Sequence, residues 1–192
     1  MPISAEALEA AHLIDRLERL ARAGEHIGGL NPAQWEALRY LARANRFSRT
    51  PAALADYLVS TRGTVSRTLA SLESKGYVSR SSSARDGRSV EFALTPEAKK
   101  VLRGDPLHSI ARDIEQATGG NAADILESLR RTLRSAIARN KGRAFGGCFS
   151  CRHFRSGIRP ESRTPHHCAL LDAPLSDADS RAICVEQEPA AA

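Results

Sequence analysis

The chain has 192 residues, a formal net charge of +6 and an isoelectric point near 9.5. Hydrophobic residues make up 42% of the sequence and charged residues 26%, which is typical of a globular protein of one ordinary domain plus a small appendage. No stretch approaches eighteen consecutive apolar residues, so the sequence offers no membrane span. The first ten residues contain Glu6 and Glu9 and no basic cluster before an apolar run, so we expect a cytoplasmic protein.

The spacing of apolar residues, bounded by N-cap residues and glycines, predicts four helices in the first half of the chain. They cover residues 4–26, a segment that opens at Pro32, residues 52–58 and residues 61–75. Asn31 and Gln34 stand at the positions of a capping box for the second helix, and Gly76 provides the stop of the fourth.

After Gly76 the apolar residues alternate with a period of two on both sides of the turn-like segment 84–87, which predicts a β-hairpin. Helical periodicity then resumes. The predicted helices run from Glu97 to a kink at 104–106, from 107 to 117, and from an Asn121 cap to Asn140. Beyond them, Gly142, Gly146 and Gly147 predict a hinge-like linker, and Pro189–Ala192 a disordered end.

Two short helices followed by a hairpin with arginines at its tip give the order of elements in a winged helix-turn-helix. Residues 61–90 carry six basic and two acidic side chains, which is most of the net charge. Their hydroxyl and guanidinium groups suit phosphates and base edges. The candidate DNA contacts are Thr61, Arg62, Thr64, Ser66, Arg67, Arg80, Arg85, Asp86 and Arg88. A solvated basic face, and helix capping for the hydroxyl residues, are the alternative interpretations.

Four segments resemble the MarR family of winged-helix regulators: LNPAQWEALRYLA, TPAALADYL, TVSRTLASLESKGYVSR and ARDGRSVEFALT. The resemblance covers roughly residues 8–140. It implies a mainly α fold with a small β-wing, in which Arg88 enters the minor groove and Asp86 orients it. It also implies an obligate homodimer formed by the first and last helices of this region, for which a palindromic duplex operator is the expected partner. We therefore predict a DNA-binding and dimerisation domain over residues 1–140.

All four cysteines lie in the last quarter of the chain, in the pattern C-x2-C-x16-C-x15-C formed by Cys148, Cys151, Cys168 and Cys184. Four thiolates suit zinc or an iron-sulfur cluster, and a C-x2-C turn can present two of them together. Disulfides are uncommon in a chain without an export signal. We predict a small loop-rich metal-binding module over residues 141–192. The nearby histidines, His153, His166 and His167, are then expected beside the ligands rather than among them.

The two later cysteines stand alone, unlike the second C-x2-C pair of a zinc ribbon. With Phe149 and Phe154 beside the first pair, the spacing resembles that of the ligands in high-potential iron-sulfur proteins over about forty residues. That resemblance implies a 4Fe-4S cluster, with Zn2+ as the alternative.

The sequence therefore predicts a DNA-binding regulator, a repressor whose operator affinity depends on an iron-sulfur cluster and so on iron, oxygen or redox state. One alternative is the same regulator with a structural zinc site. Another is an electron-transfer or accessory protein that uses the winged helix as a scaffold. The sequence contains no nucleophile and base set and no nucleotide-binding glycine loop, so we do not expect an enzyme.

Overall fold

The computed structural model describes residues 2–23, 29–82 and 89–190, which are mostly helical. The helices are α1 (Ala5–Ala23), α2 (Pro32–Arg43), α3 (Pro51–Tyr57), α4 (Arg62–Ser74), α5 (Pro96–Leu102), α6 (Leu107–Ala117), α7 (Ala123–Arg139) and α8 (Asp177–Arg181). The strands are β1 (Val78–Ser82), β2 (Val90–Leu94), β3 (Phe154–Arg155), β4 (His166–Cys168) and β5 (Ala173–Leu175). None of the helices described has the length and apolar character needed to cross a membrane.

Local capping explains where several helices begin. The Asn31 side chain accepts a hydrogen bond from the Gln34 backbone N–H at 2.9 Å, and Gln34 Oε1 accepts one from the Asn31 N–H at 3.0 Å, so the predicted capping box is present. After the C-terminal end of α4, Gly76 has a φ of 75°, the left-handed conformation that ends helices. The prediction for α7 was wrong in its cap, because Ala122 occupies the N-cap position and Asn121 precedes it.

The hydrophobic core joins α2, α3 and α4 to the inner face of the wing. Its almost fully buried members include Trp35, Leu38, Leu41, Leu54, Val65, Leu69 and Leu72. Burial of each such side chain contributes roughly 1.5–3 kcal/mol to folding. Because Val65, Leu69 and Leu72 occupy one face of α4, the opposite face of that helix is turned outward.

The wing is an antiparallel pair of β1 and β2, with Val78 opposite Leu94 and Ser82 opposite Val90. This register confirms the predicted hairpin, although residues 83–88 at its tip lie outside the described part of the chain. The Phe92 backbone N–H donates to the Arg49 carbonyl at 2.9 Å, so the segment between α2 and α3 is tied to the wing.

Three helices keep apolar faces outside this core. Among the residues described, Ala21 is the buried residue of α1, and α6 and α7 contain none. The exposed apolar side chains of α1 and α7 include Leu8, Leu13, Ile14, Leu17, Leu20, Ile125, Leu126, Leu129 and Leu133. A helix of a globular protein normally buries such a face, so these two helices present an unpaired apolar surface in the single chain.

The cysteine-bearing segment packs directly onto the helical core. Phe145 and Ile183 belong to the same buried cluster as Tyr40 of α2. The Ile183 N–H donates to the Arg43 carbonyl at 2.8 Å, and the Asn45 N–H donates to the Ile183 carbonyl at 2.9 Å. The linker, which we expected to be hinge-like, is therefore packed in place.

The tail of the segment is also more ordered than its composition indicates. Pro189 pairs with Cys151, and the Ala190 N–H donates to the Ser150 carbonyl at 3.0 Å. The prediction of a disordered end from Pro189 onward was thus wrong for residues 189 and 190, whose backbone is satisfied by the turn that carries the first cysteine pair.

Candidate DNA-binding surface and cysteine site

Thr61 and Thr64 form the N-terminal cap of α4. The Thr61 hydroxyl accepts a hydrogen bond from the Thr64 N–H at 3.1 Å, and the two hydroxyl oxygens are 2.9 Å apart. Both side chains are exposed. The capping role that we weighed for these residues is therefore present, and it places two hydroxyls at the exposed start of the helix.

The other predicted contact residues of α4 lie on its outward face. Arg62, Ser66 and Arg67 are exposed, whereas Val65 between them is buried and fixes the rotation of the helix. Within the described residues, no ion pair engages Arg62 or Arg67; the latter only approaches the Gly63 carbonyl, at 3.4 Å. Their guanidinium groups are available to an anionic partner.

The wing supplies one further exposed guanidinium. Arg80 lies on β1 opposite Phe92 of β2, and it is exposed. The other predicted wing contacts, Arg85, Asp86 and Arg88, lie outside the described residues. The described surface thus combines the start of α4 with one strand of the wing.

All four cysteines line one small cavity, of about 280 Å³ including its opening. The remaining residues around it are Phe154, Leu175, Glu186 and Gln187. Cys148 and Cys184 are buried and Cys151 and Cys168 are half-buried; all four are free thiols, which removes the disulfide alternative in this structure. The sequence had indicated the cysteines and Phe154, but not Leu175, Glu186 and Gln187, which follow no ligand pattern of their own.

Three different local structures bring the thiols together. A turn of 3-10 helix over Cys148–Ser150 presents the first pair, closed by a 2.8 Å hydrogen bond from the Cys151 N–H to the Cys148 carbonyl. Cys168 lies on β4, opposite Phe154 of β3. Cys184 follows the strand-like Ile183, and its N–H donates to the Gly146 carbonyl at 3.0 Å.

The protonation of the thiols follows from this crowding. Burial, together with the neighbouring thiols of Cys184, Cys151 and Cys168, raises the pKa of Cys148 to about 12. Burial also raises the pKa of Cys184, although the nearby polar groups of Asn45, the Glu186 backbone and Ser48 act in the opposite direction. Metals bind the thiolate form, so a cation at this site would have to stabilise negative charge on several sulfurs at once.

The four cysteines line a shared cavity. Within the part of the chain that the structure describes, no group of three or more Cys, His, Asp or Glu side chains is placed to hold a single metal ion. Four sulfurs bound to one zinc ion lie about 2.3 Å from it and therefore about 4 Å from each other. Four thiols have the donor chemistry for either zinc or an iron-sulfur cluster.

The three histidines of the segment contact carboxylates outside the cavity wall. His166 Nε2 lies 3.0 Å from Asp177, while its Nδ1 accepts a hydrogen bond from the Gly157 N–H at 3.1 Å. The other two histidines, His153 and His167, face Glu188 and Asp172 at 3.4 and 3.2 Å. These contacts join the loops around the thiols, and the prediction that the histidines are not ligands stays a prediction.

Residues 28–89 match the MarR family model. Among solved structures, the chain is similar to S. aureus MepR in its DNA-binding conformation, at 21% identity and a TM-score of 0.57 over 71% of this chain and 98% of that one. It is similar to MepR in the S. aureus MepR-DNA complex, at 21% identity and 0.54 over 71% and 96%. A MarR transcriptional regulator from Methanosarcina mazei Go1 gives 26% identity and 0.54 over 67% and 96%.

No curated protein matches the chain. The structural likenesses confirm the predicted winged-helix fold of the MarR type. The family match ends at residue 89, well before the first cysteine at residue 148.

Proposed function

We propose that this chain, whose residues 28–89 match the MarR family, is a homodimeric DNA-binding transcription regulator that carries an iron-sulfur cluster on its four cysteines. The single observation that carries the DNA-binding part is the outward face of α4, where hydroxyls and unpaired guanidiniums are exposed beside the wing. The regulator acts by binding, as the repressor that we expected from the sequence, and not by catalysis.

The placement of α4 supports an approach to the major groove. The buried row Val65, Leu69 and Leu72 anchors the helix, so that Arg62 and Arg67 project away from the core. Arginine can bind guanine edges with two hydrogen bonds, and hydroxyls at a helix start suit phosphate oxygens. MepR in the S. aureus MepR-DNA complex shares this fold, which supports a duplex as the partner.

Dimerisation is supported by the apolar rows on α1 and α7. Leu20 and Leu133 are 61% and 59% exposed in the single chain, which is unusual for leucines on two long amphipathic helices. Pairing these faces between two chains would bury them and place two α4 helices in a symmetric arrangement. A symmetric dimer reads a palindromic operator.

The DNA-binding proposal is tested with random duplex oligonucleotides, from which the wild-type protein selects its preferred sequence. Arg62→Ala and Arg67→Ala should each weaken binding to the selected duplex. If the arginine contacts a base, the binding free energy should fall by about 1–3 kcal/mol. If it contacts a phosphate, the slope of log binding constant against log salt concentration should fall by about one. Arg163→Ala, at an exposed arginine of the cysteine segment, is the matched control. Equal binding by all variants would refute a contact role for these two arginines.

The dimer is tested by sedimentation equilibrium over a range of protein concentrations. Leu133→Glu places a charge in the apolar row of α7 and should shift the protein towards the monomer, whereas Ile158→Glu, at an equally exposed site of the cysteine segment, should not. A wild-type protein that is monomeric at micromolar concentration would contradict the proposal.

The cluster proposal is supported by the convergence of four distant cysteines on one cavity. The cluster would be held by Cys148, Cys151, Cys168 and Cys184. When bound, it would make the presence and oxidation state of the metal group depend on iron supply and on oxidants. Cys184 is joined through Ile183 to the end of α2. Loss of the bond between Cys184 and the cluster would therefore alter the contacts at the end of α2, next to the segment that leads to α3 and α4. This link supports control of operator affinity by the cysteine site.

Anaerobic purification followed by a visible spectrum and by iron, sulfide and zinc analysis tests this part. We expect a brown protein with iron and sulfide, and we expect Cys168→Ser to lose both and to change operator affinity. About one zinc per chain without colour would leave a structural metal site in place of a sensor. Retention of the cluster without any duplex binding would favour an electron-transfer or accessory role.

A further inference from the structure

We propose that the carboxamide of Asn45, in the segment between α2 and α3, donates a hydrogen bond to sulfur at the cysteine site when metal is bound, so that the winged-helix domain supports a ligand of that site from behind the cavity wall. This inference rests on the proposed metal-binding function of the four cysteines. Asn45 would be a positioning residue for the site, 139 positions away in sequence from the cysteine that it serves.

The amide of Asn45 is buried and has an unused donor. The residue is 2% exposed, and its Nδ2 atom has no hydrogen-bond partner in the structure. A buried donor without a partner costs about 1–3 kcal/mol, so proteins seldom keep one without a use.

The orientation of that amide is fixed by its own oxygen. Asn45 Oδ1 accepts hydrogen bonds from the Ser48 hydroxyl at 2.7 Å and from the Phe47 N–H at 3.1 Å. The Asn45 backbone N–H is itself bound to the Ile183 carbonyl. With the oxygen held by two donors, a flip of the amide would break both bonds, and the NH2 group stays directed to the opposite side.

Cys184 stands between the two residues that this segment binds, because the Asn45 N–H donates to the Ile183 carbonyl and the Ser48 hydroxyl accepts from the Val185 N–H at 2.9 Å. The distance and angle of a formed hydrogen bond from Asn45 to the Cys184 sulfur are not met in the structure. The Ser48 hydroxyl is already in use, because its proton is donated to Asn45. Asn45 is therefore the side chain with a donor to spare.

Sulfur ligands of metal sites gain stability from such donors. Hydrogen bonds to thiolate and sulfide sulfurs set cluster potential and retention, and loss of a partner of a metal ligand typically weakens binding about 10–100-fold. The segment that carries Asn45 is also hydrogen-bonded to the wing through Arg49. One short segment would thus contact both the site and the DNA-binding elements.

Asn45→Asp is the sharpest test, because it keeps the oxygen that Ser48 and Phe47 need and replaces only the donor. Anaerobically purified dimeric protein is mixed with an iron chelator, and iron transfer is followed by the loss of visible absorbance. We expect iron retention to fall about 10–100-fold. Gln187→Glu adds the same charge at the cavity and leaves Asn45 intact, so it should change retention less.

Ser48→Ala serves as a second variant if Asn45→Asp does not fold, since it frees the carboxamide to rotate and should also shorten iron retention. A wild-type protein that holds neither iron nor zinc would overturn both the metal site and this inference. The other outcome concerns Asn45 alone. If the wild-type protein holds metal and Asn45→Asp releases it at the wild-type rate, the role of Asn45 is overturned; Ser48→Ala is read in the same way if Asn45→Asp does not fold. Equal losses in Asn45→Asp and Gln187→Glu would also overturn it, in favour of a charge effect.

Discussion

Replacing Phe145 by alanine tests whether the cysteine segment is an integral part of the core. The Phe145 side chain is 9% exposed and meets Tyr57 and Tyr40 edge-on, with ring centroids 5.2 and 6.2 Å apart. Removal of a buried phenylalanine costs about 3–5 kcal/mol, and each aromatic pair accounts for about 0.5–1.5 kcal/mol of such losses. We therefore expect Phe145→Ala to lower the free energy of unfolding by about 3–5 kcal/mol.

The control is Phe149→Ala, at a phenylalanine four residues later whose side chain is 63% exposed. Its replacement should cost about 1 kcal/mol or less, because little apolar surface returns to water. Both variants are unfolded in urea at one fixed protein concentration, since dimerisation would couple stability to concentration. If Phe145→Ala lost no more than Phe149→Ala, the segment would be an appendage that the helical core does not need.

Three further predictions concern contacts described by the structure. Asp105 is buried and bound by Arg39 at 2.6 Å, so Asp105→Asn should cost about 3–5 kcal/mol in urea unfolding, and a loss below 1 kcal/mol would contradict the ion pair. Although burial raises the pKa of Asp105, hydrogen bonds from Arg39 and a backbone N–H hold it below the usual value. That stability is present above the unfolded pKa of about 3.9 and should vanish as pH falls through the folded pKa, so wild type should lose more stability than Asp105→Asn on acidification. Gly146→Ala places a Cβ 2.8 Å from Gln187 and should lower the thermal midpoint, whereas Gly63→Ala, in open space, should not.

Much of the helical half could be predicted because its signals are local. The Asn31 cap, Pro32 and the Gly76 stop lie within a few residues of the helix ends that they set, and their physics acts over one turn. The predicted start of α7 was one position too early. Asparagine is a favoured N-cap residue, so the sequence indicated Asn121, but the N-cap position is occupied by Ala122.

The cysteine set could be predicted from spacing, but its surroundings could not. The contacts of Ile183 with Arg43 and of Val185 with Ser48 join residues more than 130 positions apart, and nothing in either segment marks the other as its partner. The glycines at 146 and 147 indicated a flexible linker by composition. In the structure, the missing side chain of Gly146 instead allows Gln187 to approach the backbone closely.

The contact of Ile183 with the end of α2 has a consequence for biosynthesis. The ribosome delivers α2 long before residue 183, and helices α1 to α4 can form from local contacts as they emerge. The face of α2 that Phe145 and Ile183 cover stays open until those residues are made. A translation product that stops between α7 and Phe145 would therefore expose apolar surface beside Tyr40, which makes it a substrate for chaperones and proteases rather than a stably folded protein.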